Sequence, residues 1–576
     1  MPRFLALVSC RDPIDADGIR QAEQAAATAE LALSFRTPTC MIFADRATSL
    51  DETGIVIGDM FPREPGSPRA ALSPPAATID RWLIVDHWGS YVAFWRDPDG
   101  GVIHVLRDPS GALPCLAIPL GTRIVLASDI PLLDSMHPAM ASIDWEFVRQ
   151  LVVYPHLRGR RTGLAGIEEL LPGSKLTIDR SGITTAFLWS PWAFTHRTLR
   201  IDDATEARDR LRATIVPTVQ ALLRSTRKPL LELSGGLDSS ILAVTMATLG
   251  IETCGINLAT PDAEGDERRY ARLVAERTGL RLIERVVEGP DRLDIARPPL
   301  PHLERPGSQA WLQAWEHALV ETARHESCDA FISGTGGDNV FCALSSAAPA
   351  ADLLKLGAPG AALRTVAALG TMHGASHWQV GRYAARMAIR RRYRDAWPRD
   401  ESFVPGIATL APPDPHPWLV LPHGTLPGSR AHARSIFATY AHRGGSERDP
   451  IAPTILPLLA QPVQELCLRI PSWLWVAGGR DRAVARQAFA DLLPAAIAQR
   501  RTKGAVDSYC VRLVEQHLAP IREMLVEGHL TDQNLLHRHA LARWFDAPRA
   551  ARDLRYFRIL TLLDIEIWVR DWLGPP

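Results

Sequence analysis

Seven consecutive residues, Ser234 to Ser240 (SGGLDSS), combine the residue types that bind phosphate groups. The apolar run Lys228 to Leu233 before them predicts a buried strand, and Ser239 to Leu249 has apolar residues at helical spacing. The two glycines allow backbone N–H groups to surround an anion, and the three serine hydroxyls add donors at the positive end of the helix. Asp238 is compatible with bound phosphates only when a cation lies between them, and Mg²⁺ prefers carboxylate and phosphate oxygens together. The segment therefore predicts a phosphate site that includes Mg²⁺.

The spacing of this loop separates it from other phosphate-binding loops. It lacks the GxxxxGKS/T pattern of a Walker loop. It resembles instead the pyrophosphate loop of enzymes that cleave ATP between the α and β phosphates, forming AMP and pyrophosphate. The alternative interpretation is a Gly/Ser turn before an ordinary helix. We therefore expect ATP to be a substrate, with Mg²⁺ as its metal ion.

Apolar runs and helical patterns alternate along the region that follows. Strands are predicted at Ile251 to Ala259, Leu280 to Val287 and Asp329 to Ser333, and the last of them runs into GTGGD, which ends at Asp338. Such alternation implies a parallel sheet wound with helices, in which ligands bind beyond the carboxyl ends of the strands. Asp338 is therefore predicted to face the same nucleotide as the first loop and to share its Mg²⁺.

Six blocks of sequence, in order, resemble the synthetase domain of the asparagine synthetase superfamily. They are SGGLDSS, GDERRYAR (265–272), SGTGGDNVF (333–341), PLLAQPVQEL (457–466), RDRAVARQAF (480–489) and LPAAIAQRRTKG (493–504). Members of this superfamily adenylate a carboxylate with ATP and then let an amine displace AMP, which forms an amide. The resemblance implies the same reaction type for this chain.

The resemblance also assigns roles to single residues. Lys503 aligns with the family's catalytic lysine, which balances charge while the phosphorus centre and then the acyl-AMP react. Asp238 and Asp338 are expected to act with it in catalysis and to bind Mg²⁺. The residues expected to bind ATP and pyrophosphate are Leu233, Ser234, Gly235, Gly236, Asp238, Ser239, Ser240 and Gly334.

The N-terminal third resembles the glutamine amidotransferase half of the same superfamily. WGSYVAFWRD (88–97), VLRDPSGALP (105–114) and ASDI (127–130) alternate strand-like runs with turns, as in a sandwich of antiparallel sheets. A working glutaminase has a cysteine directly after the initiator Met, where this chain has Pro2, and IGDMF (57–61) replaces the family's Asn-Gly-Glu. Cys10 lies in an apolar run and is predicted to be a small buried hydrophobe. This domain is therefore predicted not to hydrolyse glutamine.

The predicted fold class is α/β plus α+β, in two domains. Residues 1–195 are expected to form the degenerate glutaminase-like antiparallel β sandwich. Residues 196–576 are expected to form the synthetase domain, a doubly wound parallel sheet with helices.

The second glycine loop departs from the family pattern at two positions. Thr335 stands where glutamine-dependent asparagine synthetases have Glu and β-lactam synthetases have Tyr. A hydroxyl is a poor general base near neutral pH, so another group must deprotonate the amine, and Glu304 is a candidate. Asn339 replaces an acidic residue, which weakens any second metal contact.

The later blocks, from Glu465 to Gly504, most resemble the macrolactam synthetases that close lasso peptides. We therefore expect the enzyme to adenylate an Asp or Glu side chain of a leaderless precursor peptide and to join it to the peptide's own N-terminal amine. An ammonia-dependent asparagine synthetase and a β-lactam synthetase-like enzyme acting on a small molecule are the alternatives. A tRNA-modifying enzyme and a non-catalytic nucleotide-binding regulator are less compatible with the composition and with the retained Asp238, Asp338 and Lys503.

Composition narrows the expected partners. Lys plus Arg and Asp plus Glu each total 64, so no net field favours nucleic acid or an anionic membrane. The eight cysteines show no metal-site spacing, and no apolar run has membrane-spanning length, so a cytoplasmic location is expected. Expected partners are the precursor peptide, with a leader peptidase and a leader-binding protein as candidates. The arginine run Arg386 to Arg394 is interpreted as a solvated helix face, with contact to an acidic peptide or a partner as the alternative.

Overall fold

The computed structural model describes most of the chain. The described residues are 2–64, 78–137, 142–261, 265–287, 294–295, 297–307, 310–390, 397–406, 413, 416–501, 504, 507–548, 553 and 555–576.

Two six-stranded antiparallel sheets occupy the N-terminal part. Their strands are β1 (Phe4–Ser9), β2 (Ala32–Thr37), β3 (Cys40–Ala44), β4 (Ala47–Leu50), β5 (Gly54–Pro62), β6 (His87–Arg96), β7 (Ile103–Arg107), β8 (Leu116–Leu120), β9 (Arg123–Ala127), β10 (Glu168–Glu169), β11 (Ser174–Asp179) and β12 (Gly182–Phe187). The strand orders are β10-β8-β9-β1-β3-β2 and β12-β11-β7-β6-β5-β4. The helices of this part are α1 (Ala16–Thr28), α2 (Ile79–Arg81), α3 (Ile130–Met136) and α4 (Trp145–Val153).

The two antiparallel sheets pack face to face. Alternate residues of β1, namely Phe4, Ala6 and Val8, join one hydrophobic cluster with Val92 and Phe94 of β6. The intervening residues of β1 belong to a different cluster, which contains residues of α1, α3 and α4. The predicted antiparallel sandwich is therefore confirmed in its general layout.

A five-stranded parallel sheet lies in the C-terminal part, in the order β15-β14-β13-β16-β17. Its strands are β13 (Pro229–Glu232), β14 (Cys254–Ala259), β15 (Arg281–Val286), β16 (Ala330–Ile332) and β17 (Thr454–Ile455). The helices interleaved with them are α5 (Ala204–Leu222), α6 (Leu237–Thr248), α7 (Arg268–Thr278), α8 (Gln313–Glu326) and α9 (Gly337–Val340). The chain order reverses between β13 and β16, so the topological switch point lies there.

Helices cover both faces of this sheet. Leu230 and Phe331 belong to one cluster with Leu319 of α8. The neighbouring strand residue Leu231 points the other way and belongs to a cluster with Ile241 of α6. This two-sided burial explains why β14 and β16 are short, nearly continuous apolar runs, whereas the edge strand β15 is partly exposed.

The remaining helices follow α9 in the chain. They are α10 (Ala348–Lys355), α11 (Pro359–His373), α12 (His377–Ile389), α13 (Pro427–Ala438), α14 (Gln461–Arg469), α15 (Ala483–Ala488), α16 (Ala495–Ala498), α17 (Asp507–Gln516), α18 (Leu518–Val526), α19 (His529–Asp532), α20 (Arg538–Asp546) and α21 (Arg555–Leu573). Among the described residues, no helix combines the length and apolarity that crossing a bilayer requires.

Hydrophobic clusters cross the predicted domain boundary at residues 195 and 196. Residues of α17 to α21 share a cluster with α1, α3 and α4. A buried ion-pair group also joins the two parts: Glu169 contacts Arg107 and Arg158 at 2.7 and 2.8 Å, and Arg305 at 2.8 Å. The boundary itself stays a prediction, but the two parts form a shared core.

Candidate active site

The two glycine loops contact each other at the carboxyl ends of β13 and β16. A Cβ atom on Gly337 would lie 2.4 Å from Cγ of Asp238, and one on Gly334 would lie 2.8 Å from the backbone N of Ser239. Such close approach admits only glycine. The sequence therefore needs both glycines to bring the aspartate of the second loop next to that of the first.

The first loop is fixed at several points. Gly235 has a φ of +72°, and a Cβ there would lie 2.5 Å from Cβ of Tyr270 in α7. Asn257 donates a side-chain hydrogen bond to the carbonyl of Leu233 at 2.8 Å. The helix α6 begins at Leu237, so its first N–H groups have no partner within the helix and face the loop. This geometry suits an anion held by backbone donors.

A cavity of about 770 Å³ opens in front of both loops. The predicted site residues that line it are Leu233, Ser234, Gly236, Asp238, Ser239, Gly334 and Asp338. Two others are not on its wall. The carbonyl of Gly235 accepts a hydrogen bond from Arg500 at 3.1 Å. Ser240 is fully buried and donates its hydroxyl to the carbonyl of Gly236 at 2.6 Å. Both residues therefore stabilise the loop from the side that faces away from the cavity.

Arg482 joins the two aspartates. Its Nη1 atom lies 3.2 Å from Oδ2 of Asp238 and also forms an ion pair with Asp338, while its Nε lies 3.3 Å from Asp481. The side chain is only 10% exposed. Burial lowers the pKa of the Arg482 guanidinium, but the three carboxylates outweigh burial and hold the pKa above its ordinary value.

The position of Arg482 shows that the carboxylates of Asp238 and Asp338 converge on one point. A single guanidinium nitrogen contacts both, which a cation between them would also do. Among the described residues, no group of three or more His, Cys, Asp or Glu side chains can hold a metal ion. Two carboxylates that face one point are a donor pair to which Mg²⁺ can bind when phosphate oxygens and water complete its coordination.

A second arginine anchors the segment that contains Lys503. Arg500 forms an ion pair with Glu267, and its guanidinium lies 3.7 Å from the ring centre of Tyr270. Glu267 also accepts a hydrogen bond from the backbone N of Gly504 at 2.9 Å. Lys503 itself lies outside the described residues, so its position and its role stay predictions.

The second loop contains the two departures from the family pattern. The hydroxyl of Thr335 lies 2.9 Å from that of Ser333, and both residues line the cavity. Asn339 donates from its amide to the carbonyl and hydroxyl oxygens of Ser435 at 2.8 and 2.9 Å. Its amide nitrogen is therefore committed to α13.

Three other features singled out in the sequence, namely Glu304, Cys10 and the described residues of the arginine run, do not line the cavity. Glu304, the candidate base, lies 3.8 Å from Arg158 and 3.7 Å from Arg305 and does not line the cavity, so the structure does not support that choice. Cys10 directly follows β1 and is half-buried, and burial raises the pKa of its thiol, as expected for an unreactive cysteine. Of the arginine run, residues 391–396 lie outside the described residues, and Arg386 and Arg390 are exposed.

Arg482 and Arg480 line the cavity, and neither was predicted from the sequence to do so. Both lie in the block RDRAVARQAF, so the resemblance marked the segment without identifying the side chains that face the cavity. Arg480, Asp481, Arg482 and Arg486 of this block form part of the cavity wall.

The fold and the cavity define the class of the C-terminal part: a doubly wound α/β domain with a ligand site at the switch point of its parallel sheet. The family model of asparagine synthase matches residues 210–437 and 452–570, which is more than half of the chain. The chain belongs to the asparagine synthase family, a family of ATP-dependent ligases.

Two of the solved structures to which the chain is similar are both distant in sequence. An allosteric regulatory enzyme of purine biosynthesis is 10% identical, with 52% of this chain and 82% of that chain covered and a TM-score of 0.21. The glutamine phosphoribosylpyrophosphate amidotransferase of B. subtilis, in complex with ADP and GMP, is 11% identical, with 49% and 65% covered and a TM-score of 0.21. At such TM-scores neither adds to the assignment. No curated protein matches the chain.

Proposed function

We propose that the protein activates a carboxylate with ATP and joins it to an amine, releasing AMP and pyrophosphate. The observation that carries the proposal is the convergence of Asp238 and Asp338 on one point in front of the SGGLDSS loop. Membership of a family of ATP-dependent ligases supports it.

The first loop and α6 suit the phosphates of ATP. Backbone N–H groups at the start of α6 and the hydroxyls of Ser234 and Ser239 are the donors available to them. When bound between Asp238 and Asp338, Mg²⁺ would neutralise phosphate charge. Arg482 must then release at least one carboxylate, and its guanidinium is within reach of the same phosphates.

The reaction has two steps. In the first, a carboxylate oxygen of the substrate attacks the α phosphorus, the bond to the β phosphate breaks, and pyrophosphate leaves. In the second, an amine attacks the acyl carbon, the bond to AMP breaks, and the amine loses a proton. Lys503 is proposed to balance the negative charge that develops in both steps. His373 lines the cavity and is the proposed proton acceptor, since imidazole is the most frequent general base.

The proposed substrate is a leaderless peptide whose own N-terminal amine attacks its activated Asp or Glu side chain. Closing a flexible ring of about eight residues costs only about 2 kcal/mol of loop entropy, whereas ordering about fifteen residues in a threaded shape costs on the order of 15–30 kcal/mol. An enzyme is thus needed mainly to hold the peptide in its threaded shape. A cavity of about 770 Å³ has room for the reacting groups of a peptide beside ATP. Ammonia-dependent asparagine synthesis and β-lactam formation remain the alternatives.

Pyrophosphate release with a panel of acceptors tests the proposal. The panel contains L-aspartate with ammonium, a small β-amino acid, and a fifteen-residue peptide with N-terminal Gly and an Asp at position eight. Any short open reading frame found beside the gene would provide a natural peptide for the same assay. Pyrophosphate and AMP formation that depends on a peptide, with loss of one water mass from it, is expected. Turnover with aspartate and ammonium alone would favour the alternative, and ADP formation would contradict the reaction type.

A further inference from the structure

The strand β12 (Gly182–Phe187) forms one edge of the second antiparallel sheet and is exposed along its length. Among the described strands only β11 pairs with it, and five of its six residues are exposed. The large side chains among them are Ile183 and Phe187, each 39% exposed. An edge strand of this kind presents unpaired backbone N–H and C=O groups to any further strand.

The other edges of the described sheets have features that discourage pairing. The strand β2 contains Arg36 and an irregular register between Leu33 and Phe35, and β15 contains three charged residues. The strand β4 has four residues, and β10 and β17 have two each. By contrast, β12 has six residues without a charge, a proline or a register shift. It is therefore the least protected sheet edge in the part of the chain that the structure describes.

The hydrogen-bond pattern of the β11–β12 hairpin determines which backbone groups of β12 point outward. A two-residue loop joins the strands, so the closing pair Asp179 and Gly182 is hydrogen bonded. Pairs with and without hydrogen bonds then alternate along an antiparallel ladder. The N–H and C=O groups of Ile183, Thr185 and Phe187 therefore point away from β11. Among the described residues, no backbone hydrogen bond from a turn or loop reaches these groups.

The same three residues have their side chains on the face of the sheet that is buried elsewhere. Ile183 lies opposite Ile178, and Thr185 lies opposite Leu176. Both of these β11 residues belong to the hydrophobic cluster between the two sheets, and directly opposite residues share a face. The exposure of Ile183 and Phe187 shows that β12 extends past the cover of the facing sheet. It therefore leaves apolar surface beside its free backbone edge.

We propose that β12 pairs with β12 of a second copy of this chain, antiparallel and about a two-fold axis at Thr185. In this register Thr185 lies opposite Thr185 of the other copy, and Ile183 lies opposite Phe187 on both sides of the axis. An aromatic side chain opposite a β-branched one is a favourable cross-strand pair. A two-fold dimer uses the same surface on both copies, and the uncharged β12 supplies both members of each apolar pair. A strand of another protein would have to supply matching residues of its own.

Sedimentation equilibrium of the full chain measures this association. Six residues on each side are fewer than the about 20–30 of a standard interface, so we expect a weak dimer with a dissociation constant of about 1–100 µM. Thr185→Lys places two cations opposite each other in the dimer but only one solvated lysine on the monomer, so it should weaken association by about tenfold or more. Thr185→Glu should have the same effect. The matched control is Ser49→Lys on β4, an exposed residue at the other edge of the same sheet, which should not change association.

Two further measurements test the register. Because residue 185 lies opposite its own copy, a mixture of Thr185→Lys and Thr185→Glu proteins should form a dimer at least as tight as that of the wild type. Thr185→Cys should form an intermolecular disulfide on mild oxidation, since Cα atoms of a hydrogen-bonded antiparallel pair lie about 5.5 Å apart, whereas Ser49→Cys should not. Melting temperatures of all variants would be measured in parallel.

The inference is overturned if the wild type stays monomeric at about 300 µM, well above the expected dissociation constant. It is also overturned if Thr185→Lys dimerises as tightly as the wild type, or if the mixture of Lys and Glu variants associates no better than either variant alone. A disulfide that forms equally in Ser49→Cys and Thr185→Cys would contradict the register. These measurements need neither ATP nor a substrate, so their outcome is independent of the proposed reaction.

Discussion

Replacing Arg482 by Met should convert the site from a closed ion-pair group into an open metal site. The change removes the guanidinium that contacts Asp238 and Asp338 and keeps most of the side-chain volume. The two carboxylates then face each other without the Arg482 guanidinium between them. We expect a less stable protein that binds divalent metal ions without ATP.

The expected loss of unfolding free energy follows from the burial of the Arg482 ion pairs. Removing one partner of a buried ion pair costs about 3–5 kcal/mol. The side chains of Arg482 and Asp238 are 10% and 13% exposed, but that of Asp338 is 37% exposed and partly solvated, so the lower end of that range applies. A metal ion at one hundred times its dissociation constant restores about 2.7 kcal/mol. Most of the loss should therefore disappear in Mg²⁺.

Urea unfolding with EDTA and with Mg²⁺, together with Mn²⁺ binding followed by electron paramagnetic resonance, checks this prediction. The matched control is Arg212→Met, which breaks an exposed pair with Asp491 and should change stability by less than about 1 kcal/mol in either buffer. An Arg482→Met protein as stable as the wild type in EDTA, with unchanged Mn²⁺ affinity, would refute the view that this arginine occupies the cation position.

Three further changes have defined outcomes. Gly337→Ala inserts a Cβ 2.4 Å from Cγ of Asp238 and should lower ATP affinity by about tenfold or more, measured by calorimetry, whereas Gly360→Ala, with no atom within 4 Å, should be neutral. Asp238→Ala and Lys503→Ala should each abolish AMP formation in a chromatographic assay, and activity near that of the wild type in either would count against the site assignment. Burial raises the pKa of Asp352 to about 7, so its proton is held more tightly in the folded state and stability should fall by up to about 4 kcal/mol as pH rises from about 4 to 7. Asp352→Asn should flatten that slope in urea titrations, and an unchanged slope would show that this carboxyl does not control it.

The elements around the site were predictable because their patterns are local. The strand predicted at Ile251 to Ala259 is observed as β14, and the strand predicted at Leu280 to Val287 as β15, each within a few residues. Burial on both faces of a parallel sheet produces the nearly continuous apolar run of β14, which a sequence shows directly, whereas β15 is a partly exposed edge strand. By contrast, β17 contains only two residues, which is too short for any periodicity.

The contacts that complete the site were not predictable in the same way. Arg482 reaches Asp238 across 244 positions of sequence, and no local pattern encodes which arginine of a basic segment turns inward. The same holds for Arg480, whose exposure to the cavity depends on a turn packed against α11. Glu304 was a wrong choice because a carboxylate in sequence carries no information about the arginines that surround it in space.

Two loops that are distant in sequence are proposed to present one nucleotide to a carboxylate. Incubating the enzyme with ATP and an acceptor whose carboxylates carry ¹⁸O tests it most directly, with the products analysed by mass spectrometry. One ¹⁸O atom should appear in AMP, because the attacking carboxylate oxygen leaves with the phosphorus. Formation of ADP, or of AMP that contains no ¹⁸O, would contradict it.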